Sequence, residues 1–426
     1  MTSHALVIGL DMGTSGARAV AMDAEGHVVA SAAAKLTSFS DDHRDPEGWR
    51  AAMRSALTGA LAEIDRSAVV AIAVDGTSGT LLPVDGRGRP LARPMMYNDP
   101  VEDAGILKTV AEHAPRDSAA HGPTSGLAKL MVFQTVAGVE RVIHQADWLA
   151  GQLTGRFDLS DENNALKTGY DPISRRWPDW IGATRANIAL LPDVLPAGAT
   201  MARISAQAAQ TYGLSPTVLI AAGTTDGCAS FLATGADRPG DGVSALGTTL
   251  TVKILSDTPL FAPDYGLYSH RIGDIWLAGG ASNTGGVVLA QHFEPDAIAA
   301  LSARIDPETD SGLNYYPLPK PGERFPISDP ALAPRMSPRP VDDADFLKGI
   351  FEGIAGIEAL AYQRLESLGG PKLGSIRSVG GGAKNDVWTK IRLRRLGVAA
   401  APVHSEEAAA GAARLALRAA IAEGLL

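Results

Sequence analysis

Two aspartates stand at the ends of apolar runs and are followed by small and hydroxyl-bearing residues: Asp11 in "GLDMGTSGARAVAMD" (9–23) and Asp226 in "AAGTTDGCAS". In the first stretch Gly13 and Gly16 let the backbone turn tightly and come close to a ligand, leaving N–H groups to converge on an anion. Thr14 and Ser15 add hydroxyl donors. An ionised Asp11 only accepts hydrogen bonds and would repel a bare phosphate, so a cation is needed between them. Mg²⁺, held mostly through water, suits one carboxylate beside phosphates. The competing reading is an ordinary glycine-containing hairpin with a solvated aspartate. The pattern recurs in "ALGTTL" (245–250), with Gly247, Thr248 and Thr249 between two apolar runs, so two hairpins could face one polyphosphate from opposite domains. Neither stretch matches G-x-x-x-x-G-K-[ST], and no G-x-G-x-x-G opens a helix, which disfavours P-loop and dinucleotide folds.

Asp226 is flanked by residues small enough to leave room for a substrate. A carboxylate there can orient a sugar hydroxyl and accept its proton during phosphoryl transfer; a helix cap is the alternative reading. "VGGGAKNDVW" (379–388) offers close backbone approach at Gly380, Gly381 and Gly382, the amide of Asn385 and the ring of Trp388, which suits a purine; a strand-to-helix turn with a core tryptophan is the alternative. Cys228, the only cysteine, is read as a small packed hydrophobe. The nine histidines show no H-x3-H or H-E-x-x-H spacing, which disfavours a protein-bound transition metal.

These residues need elements to hold them. Residues 5–10 read as a buried strand, 17–22 as its returning neighbour and "VVASA" as a third strand, an antiparallel meander. Asp45-Pro46-Glu47 starts a helix carrying Trp49, Met53, Leu57, Leu61 and Ile64 on one stripe. A parallel strand is expected at 69–76 and another strand at "TLLPV", then helices over 126–137 and 142–154. From 218 the strand, Gly-Thr-Thr turn and strand return, an echo of the start that suggests two related halves. A long helix is expected near 343–368, and Ser405-Glu406-Glu407 reads as the start of a last helix with both carboxylates at its positive end.

At 426 residues the chain is too long for one core, so two domains of roughly 200 residues with a cleft between them are expected. A net charge of −9 argues against nucleic acid or an anionic membrane as the main partner. One cysteine is consistent with a reducing compartment. With no visible signal peptide and no run of about 18 apolar residues, a cytoplasmic location is expected. The sequence sets no oligomeric state.

Together the motifs resemble the FGGY family of carbohydrate kinases, within the actin/hexokinase/Hsp70 superfamily. "GLDMGTSGARA" is similar to the first phosphate motif, "AGTTDGCASFLATGA" to the base segment, "ALGTT" to the second phosphate motif and "GGGAKNDVW" to the adenosine motif. "DGTSGTLLPVD", "SGLAKL", "QADWLAGQLTG", "NALKTGYDP", "YSHRIGDIWLAGGASN" and "SGLNYYPLPKPGERFPI" are similar to the small D-ribulose kinases of cyanobacteria and plants, often labelled xylulose-kinase-like; the likeness spans nearly the whole chain.

The resemblance implies two RNase H-like α/β domains, residues 1–225 with the sugar and first phosphate motif and residues 226–426 with the second phosphate and adenosine motifs, the last helix from about 405 packing back on the first. ATP and sugar would meet in the interdomain cleft. It implies Asp226 as general base and Asp11 as the holder of Mg²⁺ through water. Ser15, Gly16, Arg18, Ser78 and Asp226 would contact the sugar. Gly13, Thr14, Ser15, Gly247, Thr248, Gly381, Gly382, Asn385 and Trp388 would bind ATP. The implied activity is conversion of D-ribulose to D-ribulose 5-phosphate, with D-xylulose as the alternative substrate. One departure is "YNDP" (97–100), where the pentulose branch has "WND" and then a basic residue, so Asp99 is given no sugar contact.

Overall fold

In the computed structural model, which describes residues 5–426, the hairpin, the parallel strands and the amphipathic helices assemble into two compact units. The first comprises residues 5–233, His270–Gly273 and Glu407–Leu426; the second comprises Thr234–Ser269 and Asp274–Glu406. The first unit thus runs past residue 225 to include the helix Asp226–Ala233, and it takes back the end of the chain.

The first unit is built on a six-stranded sheet in the order Val28–Lys35, Gly16–Met22, Leu6–Gly13, Val69–Gly76, Leu219–Thr225, Thr200–Arg203. Three antiparallel strands form the meander, and Val69–Gly76 lies parallel to both Leu6–Gly13 and Leu219–Thr225. Those central strands are buried on both faces, which is why they are continuous apolar runs. The helix Pro46–Ala62, capped by Asp45 through the amide of Glu47, lays Trp49, Met53, Leu57 and Leu61 into the core.

The helix Ala408–Ala422 lies so close to the sheet that a Cβ at Gly9 would fall 1.9 Å from the Ala409 carbonyl oxygen. Likewise a Cβ at Gly411 would fall 1.8 Å from the carbonyl oxygen of Ala229. Glycine and alanine on the contacting surfaces are what permit this approach. The two carboxylates expected to sit over the start of this helix are used otherwise: Glu407 pairs with Arg18 (2.9 Å) and Glu406 accepts from the Gly380 amide (3.1 Å).

A lobe inserted after the parallel strand has its own cluster around Leu81, Leu127, Leu130, Phe133 and Ile181. The helix expected over 126–137 ends at Phe133. That expected over 142–154 starts at Gln145, because Arg141–His144 pair as a strand with Leu81–Val84. The β-branched pair Val142-Ile143 favours that choice.

In the second unit five strands run in the order Ile275–Ala281, Leu250–Ser256, Asp241–Leu246, Ser375–Val379, Ala399–Ala400. Again an antiparallel set is followed by parallel pairing, here of Asp241–Leu246 with Ser375–Val379. The 25-residue helix Asp343–Ser367 contributes Phe346, Ile350, Ile354, Ile357 and Leu365 to the core. Against it packs Asp386–Leu396, joined by a buried bidentate pair in which Arg392 Nε and Nη2 each lie 2.6 Å from a Glu358 oxygen.

Candidate functional site

In open α/β sheets, ligands bind beyond the carboxyl ends of parallel strands. In the first unit those ends carry acid. The register sets Asp11 directly beside Asp75, and Asp75 beside Thr224, two residues before Asp226. Asp75 is fully buried and neither of its oxygens meets a donor; the group it faces is the carboxyl of Asp11. Burial first, and the charge of Asp11 second, push the Asp75 pKa well above the usual carboxylate range. Burial also raises that of Asp11, while its hydrogen bond with Asp75 and the neighbouring Arg18 act in the opposite sense. Of the two carboxyls, Asp75 is the one held more strongly toward its protonated form. Arg18 Nη1 stands 3.5 Å from Asp11 and is half exposed.

The hairpin tip between Leu6–Gly13 and Gly16–Met22 is Thr14-Ser15, with Gly13 opposite Gly16 and both tip residues exposed. Gly16 has φ +155° and would drive a Cβ to 2.2 Å from the Ala34 carbonyl oxygen, so no side chain fits there. Asp226 begins the helix Asp226–Ala233, half-buried, with its carboxylate accepting from the Gly227 amide (2.7 Å). Cys228 is fully buried.

Ser78 is partly exposed on the turn after Val69–Gly76. That turn is held from beneath. Thr77 donates through N and Oγ1 to Gln145 Oε1 (3.1 and 2.8 Å). Lys129, with no exposed surface, donates to the carbonyls of Gly79 (2.7 Å) and Met96 (2.6 Å). Asp99 is occupied by a bidentate pair with Arg44 (2.5 and 3.1 Å) and accepts from the Met96 amide, so it braces the same loop.

In the second unit the parallel ends carry glycine. The exposed tip Gly247-Thr248 joins Asp241–Leu246 to Leu250–Ser256. Gly286 and Val287, at the start of the helix Gly286–Ala290, donate to the carbonyls of Gly247 (2.9 Å) and Thr248 (3.0 Å). The turn Gly380–Gly382 leans on the other side of the same strand. A Cβ at Gly380 would come 3.1 Å from the Leu246 carbonyl oxygen, and one at Gly382 would come 2.9 Å from the Leu246 Cβ. Gly381 is exposed, with open space where a side chain would stand.

Asn385 caps the next helix, accepting from the Trp388 amide (2.9 Å), and its side-chain nitrogen donates to Ser302 Oγ (2.8 Å). Trp388 is 2% exposed and stacked on Phe351, ring centroids 5.0 Å apart at 8°. The open aromatic plane expected at Trp388 is therefore a core contact, because the first turn of its helix points inward. A cavity of about 860 Å³ in this unit, lined by Glu352, Gly353, Gly356 and Arg394 among others, includes none of the residues expected to bind sugar, ATP or metal.

Three residues carry no role in the sequence reading: Asp75, which falls within the expected strand 69–76 and is set beside Asp11 by the strand register; Gly285-Gly286, which brace the second tip; and Lys167, beside the Ser78 turn.

A meander followed by parallel strands, present in each unit, with polar turns at the strand ends, defines a two-domain α/β sugar kinase fold of the actin/hexokinase type. The N-terminal domain model of the FGGY family of carbohydrate kinases matches residues 6–118, and its C-terminal domain model matches residues 242–420. The chain belongs to that family.

Among its relatives, a xylulose kinase of Staphylococcus epidermidis is 23% identical over 423 residues, covering 91% of this chain and 82% of the relative. A xylulose kinase of Escherichia coli is 25% identical over 430 residues, covering 91% and 84%. Of solved structures, a xyloylose kinase from Brucella ovis superposes with TM-score 0.85 at 24% identity over 98% of this chain and 91% of that one. A glycerol kinase from Plasmodium falciparum, with ADP, superposes with TM-score 0.78 at 16% identity over 98% and 90%. No helix among the described residues is long and apolar enough to cross a membrane.

Proposed function

We propose that this protein transfers the γ-phosphoryl group of ATP to a hydroxyl of a ketopentose. The observation that carries the proposal is the unequal equipment of the two sets of strand ends: acid at Asp11 and Asp226 in one unit, side-chain-free turns at Gly247, Gly381 and Gly382 in the other.

In this reading Asp226 accepts a hydrogen bond from the attacking hydroxyl and takes its proton as the bond to phosphorus forms. Ser78, Ser15, Gly16 and Arg18 hold the sugar. The Thr14-Ser15 and Gly247-Thr248 tips donate to phosphate oxygens, and Gly13 lets the first tip turn. Gly381 and Gly382 admit the adenosine, where a side chain at Gly382 would collide with Trp388. Asn385 orders that turn from its cap position. Trp388 supports the turn from the core.

The residues fit Mg²⁺ as well. Asp11 is a single carboxylate at the strand end, which suits a cation carried chiefly by water and phosphate. When bound, Mg²⁺ offsets charge on the transferred group. Asp75, held toward its protonated form beside Asp11, keeps that carboxylate aimed.

D-xylulose is the substrate that the relatives' names support. D-ribulose is the second reading, carried by the motif likeness that includes "DGTSG" and "NALKTGYDP". A coupled ADP-release assay across D-xylulose, D-ribulose, their L-forms, glycerol and no sugar tests both. Sugar-dependent turnover with a ketopentose is the expected result. ATP hydrolysis indifferent to sugar, or turnover with glycerol alone, would reject the proposal.

A further inference from the structure

Two lysines reach the Ser78 turn, and they are used differently. Lys129 is spent on two carbonyl oxygens beneath it. Lys167 makes no hydrogen bond or ion pair with its side chain among the described residues, and it is only partly exposed.

The position of Lys167 is built with care for its neighbours. It sits on the short turn Leu166–Thr168, which continues the helix Glu162–Ala165. Asp161 caps that helix through the amides of Asn163 and Asn164 (both 2.9 Å). Asn163 then donates to Thr224 Oγ1 (3.0 Å), tying the segment to the strand that ends at Asp226. On the opposite side Thr168 Oγ1 meets His144 Nε2 (3.2 Å), and Gly126 passes so close that a Cβ would fall 2.2 Å from that hydroxyl.

From this platform the Lys167 stem runs along the Ser78-Gly79 turn, its Cδ 3.5 Å from where a Cβ of Gly79 would stand. Burial lowers its pKa, and the foremost charge restoring it is that of Asp226. An ammonium has three donors and no acceptor capacity, so an oxygen of a bound ligand can complete it. The oxygens that would complete it are absent from the chain itself.

We propose that Lys167 binds the sugar directly, donating to a carbonyl or hydroxyl oxygen next to the hydroxyl that Asp226 activates, and so holds the ketopentose between Ser78 and Asp226. The inference rests on the reading of the protein as a ketopentose kinase.

Steady-state kinetics of wild type, K167M and K167Q with sugar and ATP varied separately test it. K167M should raise KM for the ketopentose by about 10- to 100-fold, the loss expected for a charged hydrogen bond, and leave KM for ATP within roughly twofold. K167Q, which restores a neutral donor, should fall between. Among ketopentose analogues each lacking one oxygen, one should show the same KM with wild type and K167M. An unchanged sugar KM, an equal rise in the ATP KM, or a penalty undiminished by every deoxy analogue would overturn the proposal.

If K167M does not fold, reductive methylation of the wild type read by mass spectrometry replaces it. The ketopentose should protect Lys167 and a non-hydrolysable ATP analogue should not; the reverse pattern, or no protection, overturns it. A wild type without sugar-dependent ADP release would instead refute the kinase reading, leaving the two failures distinct.

Discussion

Each unit buries a carboxylate, and the two are treated in opposite ways. Glu358 in the second unit is locked by both nitrogens of Arg392's fork at 2.6 Å, and neither side chain is exposed by more than 1%. Asp75 in the first unit has no cation against it and faces another carboxyl. A buried charge with a bidentate partner has a strong preference for one state and serves as scaffold. A buried carboxyl whose only companion is another carboxyl can persist solely by keeping a proton. It orders the neighbouring Asp11 at the cost of stability. The first kind of charge is neutralised within the fold; the second, in the proposed reaction, faces the substrate.

The comparison can be broken most sharply at Asp226. Asp226→Ala should lower kcat by at least about 10²- to 10⁴-fold, the range for loss of a general base, while nucleotide affinity measured by calorimetry stays as in wild type. Retained turnover would remove Asp226 from its role.

Next comes the scaffold pair. Arg392→Met leaves Glu358 buried and alone, and should cost about 3–5 kcal/mol in urea unfolding. Asp75→Asn, which replaces a protonated acid by its isostere, should cost less than about 1 kcal/mol or stabilise. If both variants lose the same stability, the proposed distinction between paired and unpaired carboxyls is wrong.

Smaller is the effect expected of Gly286→Ala. Its Cβ would lie 2.9 Å from the Gly247 carbonyl oxygen, and displacing that tip should raise KM for ATP roughly tenfold with the sugar KM unmoved. An equal change in both constants would mean that the tip does not belong to the nucleotide alone.

The smallest effect concerns pH. Burial pushes the Lys129 pKa down to about 8 from an ordinary 10.5, so the unfolded chain holds that proton more tightly than the folded one. Wherever the unfolded state binds more protons, stability rises with pH. The stability of wild type relative to Lys129→Met should therefore climb between about pH 8 and pH 10.5 and stay flat just below pH 8. Parallel thermal-melting profiles over that window would contradict it.

Local signals in the sequence were sufficient for the hairpin, where Gly13 and Gly16 bracket Thr14-Ser15, and for the helix Pro46–Ala62, whose cap and apolar stripe are both written in adjacent residues. They misled where two local preferences competed. Val142 and Ile143 continue an apolar pattern that reads as helix, yet a strand partner was available at Leu82-Pro83. Trp388 was legible as an aromatic near a glycine turn, but the direction of its ring depends on Phe351, 37 positions earlier in the chain.

The chain alone determined the turns, the caps, the apolar strands and the types of group at their ends, because each depends on a few neighbouring residues and on the conformational freedom of glycine. Only tertiary structure decided that Asp75 stands beside Asp11, that Lys129 bonds two backbone carbonyls while Lys167 meets no acceptor of the described chain, and that Glu407 pairs with Arg18. Those outcomes follow from strand register and helix docking, which bring together residues tens to hundreds of positions apart and set whether a charge meets a partner, another charge or neither.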